Sequence, residues 1–192
     1  MAPNNNMRVV GGSAKGHRLK GAVTPGVRPT SERARAAIFN VIPPWLLRDA
    51  RVLDLFAGTG SLGIEALSQG AAWADFVERN RRQCLVLQEN LRSTGFSSQS
   101  EAHCGEAARL VRNLEGPYQL VLLDPPYKMG DLGSFMELLS ETQGLVDDKG
   151  MVVVGHSRHT SLATEFGKLT LKSLRRYGDN VVEFYQTGGI QW

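Results

Sequence analysis

From residue 51 onward, short and mostly apolar runs alternate with amphipathic stretches. The runs predict strands over 51–55, 74–78, 100–104, 120–123, 151–155, 169–174 and 181–186. Apolar residues that recur every three or four positions predict helices over 61–69, 81–93, 106–114 and 134–141. Strand and helix alternate until the last three strands follow one another directly. That order predicts an α/β, Rossmann-like, seven-stranded and mostly parallel sheet that closes with an antiparallel hairpin around Tyr177-Gly178-Asp179-Asn180. No internal repeat or low-complexity segment interrupts the pattern.

Ahead of this body, residues 8–20 have short β-prone ends around a Gly/Ser/Lys centre, which predicts a small hairpin or extended arm. Pro25 and Pro29 keep the chain extended until Thr30 or Ser31, the candidate N-caps of a helix over 32–41. In that helix Ala34, Ala37, Ile38 and Val41 recur at helical spacing, and Pro43-Pro44 is expected to end it. The expected division is a basic N-terminal hairpin over 1–30 and one larger domain over 31–192. A chain of 192 residues, 42% of them hydrophobic, can bury one sizeable core.

The net charge of +3 divides unevenly. Residues 1–50 carry eight Lys/Arg against two acids, whereas residues 51–192 carry fourteen against seventeen. Such asymmetry fits a polyanion-facing arm on a nearly neutral body, although a solvated terminus gives the same count. No apolar stretch approaches the ~20 residues that span a bilayer, and the N-terminus lacks a basic-then-apolar signal pattern, so a soluble, cytoplasmic protein is expected. Cys84 and Cys104 have no C-x-x-C spacing. Both are expected to be core thiols in a reducing compartment rather than ligands of a structural zinc.

Candidate chemistry concentrates in two segments. The first, Asp54-Leu55-Phe56-Ala57-Gly58-Thr59-Gly60, lies between a predicted strand and a predicted helix, where glycines let a bound cofactor approach the backbone and helix amides offer donors. The dinucleotide pattern G-x-G-x-x-G is nearly met, but Gly63 arrives one residue early. Asp54 tilts the reading, because a carboxylate in the loop repels a pyrophosphate and suits a cationic amino acid moiety such as that of S-adenosylmethionine. Glu78, at the end of the second strand, is placed to accept hydrogen bonds from ribose hydroxyls. Glu106 follows the third strand and can receive an adenine amino group, or can serve only as a first-turn acid favoured by the helix dipole.

The second segment is Asp124-Pro125-Pro126-Tyr127, directly after the apolar run Leu120-Val121-Leu122-Leu123. It reads as an acceptor site for a planar, amino-bearing base. The Asp124 carboxylate and the Pro125 carbonyl can accept both hydrogens of an exocyclic amine, drawing its nitrogen towards tetrahedral geometry, while the prolines fix the carbonyl and Tyr127 stacks on the ring. The bland reading is a strand-ending turn, since Asp and Pro favour turns anyway. A methyltransferase acting on ring carbon would want a cysteine nucleophile after proline, but Cys84 follows Gln83 and Cys104 follows His103. His156 and His159 lack a third metal ligand nearby and read as strand-end polar residues, and no metal is expected.

The chain from residue 7 to about 187 resembles the RsmD family, bacterial methyltransferases of the N2 amine of a guanine in small-subunit ribosomal RNA. The resemblance is carried by Met7-Arg8-Val9-Val10-Gly11-Gly12 with Gly16-His17-Arg18-Leu19, and by Val27-Arg28-Pro29-Thr30-Ser31-Glu32-Arg33 with Ile38-Phe39-Asn40. The run from Val52 through Asp54-Leu55-Phe56-Ala57-Gly58-Thr59-Gly60 to Leu67, and the Asp124 tetrad, complete it. It implies a class I S-adenosylmethionine-dependent methyltransferase fold, with Asp124, Pro125, Pro126 and Tyr127 catalytic. The cofactor would be held by Asp54, Phe56, Gly58, Thr59, Gly60, Glu78, Glu106 and Asp124. The RNA, free or in an assembling 30S particle, would be gripped by Arg8, Lys15, Arg18, Lys20, Arg28 and Arg33, with the protein acting as a monomer. Glu106 stands where relatives often carry Asp, and Tyr127 where some carry Phe.

The nearest rival is a DNA adenine-N6 methyltransferase, which can use the same tetrad but generally needs a larger recognition region than about fifty N-terminal residues provide. A non-catalytic RNA-binding protein would not need the tetrad, and a small-molecule methyltransferase would leave the basic arm unexplained.

Overall fold

The computed structural model describes residues 7–22, 31–126 and 129–188. Strands β1 (Met7–Arg8) and β2 (Arg18–Leu19) form the N-terminal hairpin. The body is built on β3 (Arg51–Leu55), β4 (Trp73–Glu78), β5 (Ser100–Cys104), β6 (Tyr118–Leu123), β7 (Val146–Ser157), β8 (Glu165–Phe166), β9 (Leu169–Tyr177) and β10 (Asn180–Thr187). These eight strands form one sheet in the order β5-β4-β3-β6-β7-β10-β9-β8. The pairs from β5 to β7 are parallel and the rest antiparallel. The sequence predicts seven strands. The eighth, β8, is a two-residue edge pairing too short to carry any periodicity.

The helices are α1 (Glu32–Val41), α2 (Pro44–Leu47), α3 (Ser61–Ser68), α4 (Arg81–Thr94), α5 (Ala107–Leu110) and α6 (Leu132–Glu141). Ser31 caps α1 through its hydroxyl, which accepts from the Ala34 amide at 3.2 Å. Pro43-Pro44 ends α1 but also starts α2, because proline at the first helical position lacks only an amide that would have no partner. The expected helix over 106–114 is broken into α5 and a 3-10 turn, Val111–Asn113. Only Ala107 and Val111 of it are buried, too narrow an apolar stripe to hold a longer helix against the sheet.

Strands β3 and β6 lie at the centre and are buried from both faces, which explains their near-continuous apolar runs. One face packs on α1 to α4 and on Met7, Val9 and Leu19 of the N-terminal hairpin. The other packs on α5 and α6. Chain order runs outward from β3 to β5 and then returns to β6 on the other side of β3. The loops after β3 and β6 therefore diverge at a topological switch point, where α/β sheets bind ligands.

The N-terminal hairpin is firmly docked. Glu65 of α3 accepts from the Val10 and Gly11 amides at 2.8 and 2.6 Å, and the Ala14 amide donates to the Ser68 hydroxyl at 2.9 Å. Asn90 of α4 pairs with both the amide and the carbonyl of Lys20. Beneath these contacts Arg35 is fully buried, facing Glu65 at 3.9 Å and donating to the Arg8 carbonyl. Arg35 is one of the eight basic residues of the N-terminal segment, yet it faces the interior rather than a polyanion. Its position on the buried stripe of α1, beside Ala34 and Ile38, decides this.

Cys84 is buried as expected, whereas Cys104 is exposed at the end of β5, and the two are paired as a disulfide with Cα atoms 6.3 Å apart. The parallel register sets Cys104 opposite Glu78, and the Cys84 sulfur lies 3.2 Å from the Glu78 carbonyl. Tertiary pairing, not sequence spacing, brings the sulfurs together. Among the described residues no helix is long and apolar enough to cross a membrane.

Candidate active site

The glycine segment leaves β3 at Leu55 and turns at Phe56, whose backbone has φ of 61°. A non-glycine residue held there stores of order 1–3 kcal/mol of strain, which the surroundings must offset. The Phe56 ring packs on Phe135 of α6 with centroids 5.2 Å apart. At the N-cap of α3, Gly60 has φ of 79°, and a Cβ there would meet Leu87 at 2.3 Å. Only glycine fits.

Three carboxylates gather around this loop. Asp54 is 1% exposed and accepts from the Gly63 amide at 2.8 Å, so it caps the first turn of α3. A side chain at Gly63 would strike the Phe76 ring. Glu78 accepts from the Gly58 amide at 2.9 Å and the Asn80 amide at 2.7 Å, which fixes both of its oxygens at the end of β4. Asp124 follows β6, half-buried, with its carboxylate over Gly155: a Cβ added there would lie 3.1 Å from Oδ1.

These acids repel one another. Burial first, then the Asp124 and Glu78 charges, hold the Asp54 carboxyl well above the usual carboxylate range, against the opposing pull of the Gly63 amide. Such a site disfavours pyrophosphate. A cationic ligand relieves the repulsion, so the donor set fits the ammonium and sulfonium charges of S-adenosylmethionine.

The remaining expected cofactor residues fall into two groups. Thr59 is buried, its carbonyl accepting from Asn90 at 2.9 Å and its hydroxyl facing the Met7 sulfur at 4.0 Å. Asn90 thereby ties the glycine loop to Lys20 of the N-terminal segment. Glu106 is exposed, with its carboxylate 3.8 Å from Arg109, while the neighbouring Gly105 amide donates to the Glu78 carbonyl at 3.0 Å.

Beside Asp124 an open cleft is lined by Ala34 and Ile38 of α1, by Leu62, Leu122 and Gly155, and by Tyr177 and Asn180 of the β9–β10 hairpin. Pro125 is buried and Pro126 exposed. Tyr127, Lys128 and Arg28 lie outside the described residues. Arg8 is half-buried, and Lys15, Arg18, Lys20 and Arg33 are exposed. Lys20 pairs with Glu89, which offsets part of its charge.

Sequence reasoning misses the residues that close the cleft from the far side. Gly155, Tyr177 and Asn180 carry no motif, and only the successive pairing of β6 with β7, β7 with β10 and β10 with β9 brings them to Asp124. His156 does end β7 as a polar residue, but it is 4% exposed, and its Nε2 lies 3.5 Å from the buried Glu183. Burial opposes the charged imidazole, yet Glu183 and the Ser157 carbonyl outweigh it and raise the His156 pKa above the ordinary histidine value. Within the paired strands β4 and β5, Asp75, Glu101 and His103 lie close together. There the Asp75 carboxylate already accepts from His103, Tyr118 and Trp73 at 2.9, 2.8 and 2.9 Å, and acts as a structural hub.

A doubly wound sheet with an antiparallel close and an acidic, glycine-lined switch point is the Rossmann-like fold of methyltransferases. The chain belongs to the RsmD family, whose model, described as conserved hypothetical protein 95, matches residues 7–186. It is 35% identical to YlbH of Bacillus subtilis over 186 residues, covering 95% of this chain and 100% of that one. It is 32% identical to ribosomal RNA small subunit methyltransferase D of Escherichia coli, covering 95% and 91% of the two chains. The solved structure of yhhF from Escherichia coli superposes with a TM-score of 0.80 at 30% identity, covering 94% of this chain and 97% of that one.

Proposed function

We propose that the protein transfers a methyl group from S-adenosylmethionine to the exocyclic N2 amine of a guanine in small-subunit ribosomal RNA. The observation that carries this reading is the convergence of Asp54, Glu78 and Asp124 around the glycine loop, beside an open cleft. The family and the activity named for the Escherichia coli relative supply the substrate class.

When bound, S-adenosylmethionine supplies a methyl group on a positively charged sulfur that leaves as a neutral thioether. Asp54 and Asp124 answer that charge, and Glu78 accepts from the ribose. Phe56, Gly58, Thr59 and Gly60 shape the loop, and Glu106 receives the adenine amine. Asp124 and the Pro125 carbonyl accept the two amine hydrogens and aim the nitrogen lone pair at the methyl carbon. Methyl transfer would raise positive charge on that nitrogen next to the Asp124 carboxylate, and the amine proton released would pass by way of that carboxylate to solvent. Pro126 holds the turn and Tyr127 stacks on the base. Arg8, Lys15, Arg18, Lys20, Arg28 and Arg33 contact RNA phosphates, and the cytoplasm is the compartment where such a substrate lies.

The test is methyl transfer from radiolabelled S-adenosylmethionine to small-subunit particles, naked ribosomal RNA and duplex DNA from cells lacking this protein, followed by nucleoside analysis. Labelled N2-methylguanosine in RNA is expected. Labelled N6-methyladenine in DNA would overturn the reading.

A further inference from the structure

The charge count places the basic surface in the first fifty residues, but the fold places a second one at the cleft. Strand β10 runs antiparallel to β7, so the β9–β10 turn at Gly178 and Asp179 lies at the same edge of the sheet as Asp124. Tyr177 and Asn180, which flank that turn, line the cleft with Asp124. The two residues before Tyr177 are Arg175 and Arg176, both exposed. In the β9–β10 register Arg175 pairs with Val182, a cleft residue, and so projects from the face that carries the cleft. Arg176 pairs with Val181 and projects from the other face.

Neither arginine forms an ion pair among the described residues. By contrast Arg158, next to the turn, is held 3.1 Å from Asp179, and Lys168 lies 3.4 Å from Asp148. An unneutralised guanidinium on the cleft face matches a phosphate group flanking a bound base. The N-terminal hairpin docks on α3 and α4, over the β3–β4 side of β6, whereas the β9–β10 hairpin stands on the other side.

We infer that the β9–β10 hairpin is a second RNA-contacting surface, with Arg175 binding a phosphate next to the target nucleotide and Arg176, on the other face of the hairpin, a phosphate further along the strand. The strand then lies across the cleft between two basic hairpins. This inference rests on the RNA-methyltransferase reading above, and it assigns a positioning role to residues outside the catalytic turn.

The test compares wild type with Arg175→Gln/Arg176→Gln, Arg175→Lys/Arg176→Lys and Lys15→Ala/Arg18→Ala/Lys20→Ala. Each binds in-vitro transcribed small-subunit ribosomal RNA over a series of KCl concentrations, and S-adenosylmethionine by calorimetry. The glutamine pair is expected to keep wild-type cofactor affinity, weaken RNA binding, and flatten the salt dependence by about 0.7 for each phosphate no longer neutralised. The lysine pair is expected to keep most of the wild-type slope. An unchanged slope in the glutamine pair, beside a flattened one in the N-terminal variant, would overturn the second surface and leave the methyltransferase reading intact. An equal flattening in the lysine pair would point to hairpin shape rather than phosphate binding, and would also overturn it. Absence of RNA binding and methylation by wild type would overturn both readings.

Discussion

The glycine-loop half of the active edge and the hairpin half use charge in opposite ways. Around β3, β4 and β6, charge is acidic, sheltered and locked by backbone amides: Asp54 to Gly63, Glu78 to Gly58 and Asn80. On the two hairpins it is basic and exposed, at Lys15 and Arg18 on one and at Arg175 and Arg176 on the other. Sheltered like charges repel strongly and favour a compact cation of fixed geometry. Exposed charges are screened and tolerate a polyanion of variable path. Under the proposed function one half serves a small donor and the other a large acceptor, and Asp124 stands where they meet.

That contrast can be broken at its foundation. Arg35→Ala would leave Glu65 as an uncompensated buried charge and remove the donor to the Arg8 carbonyl, so stability measured by urea titration is expected to fall by about 3–5 kcal/mol. Asp124→Ala is expected to lower kcat by about 10²–10³-fold while cofactor affinity, followed by calorimetry, changes much less. Unchanged turnover would remove the tetrad from the mechanism. Glu78→Ala removes a charged acceptor and is expected to weaken cofactor binding by roughly tenfold or more, with little effect on RNA affinity. An unaltered cofactor dissociation constant would show the ribose contact to be misassigned.

On the basic side, replacing Lys15, Arg18 and Lys20 with Ala is expected to flatten the salt dependence of RNA binding by about 0.7 per phosphate. Because Lys20 already pairs with Glu89, the combined effect should fall short of three phosphates. The smallest expected effect concerns pH. The His156 pKa is raised in the folded protein, so its contribution to stability is fully present below the unfolded histidine value, near 6.5. That contribution is lost as pH rises through the folded pKa. Urea midpoints measured across this window should fall with pH in wild type, and Glu183→Gln should remove the slope.

Much of the glycine loop's geometry was legible because it is local. The segment from Asp54 to Gly63 is a strand end, a turn and a first helical turn, and its hydrogen bonds close within it and to the next strand end. The boundaries of β3, β5 and α1 agree with expectation for the same reason: short-range periodicity and a capping serine define them. Local patterning could not reveal what Arg35 meets: the stripe of α1 turns it inward, but its partner Glu65 comes from α3. Nor could it reveal Cys84 beside Cys104, or Arg175 beside the cleft, because each depends on which strands are neighbours.

By itself, the sequence determined the alternation of strands and helices, the glycine loop with its carboxylate, and the proline-stiffened turn after β6. These follow from backbone sterics and from residue spacing within one or two elements. Only the tertiary structure decided which acids face one another, which bases stay exposed, and which strand closes the cleft. Sheet order and register bring distant residues within a few ångströms, and burial then sets the strength of each charge.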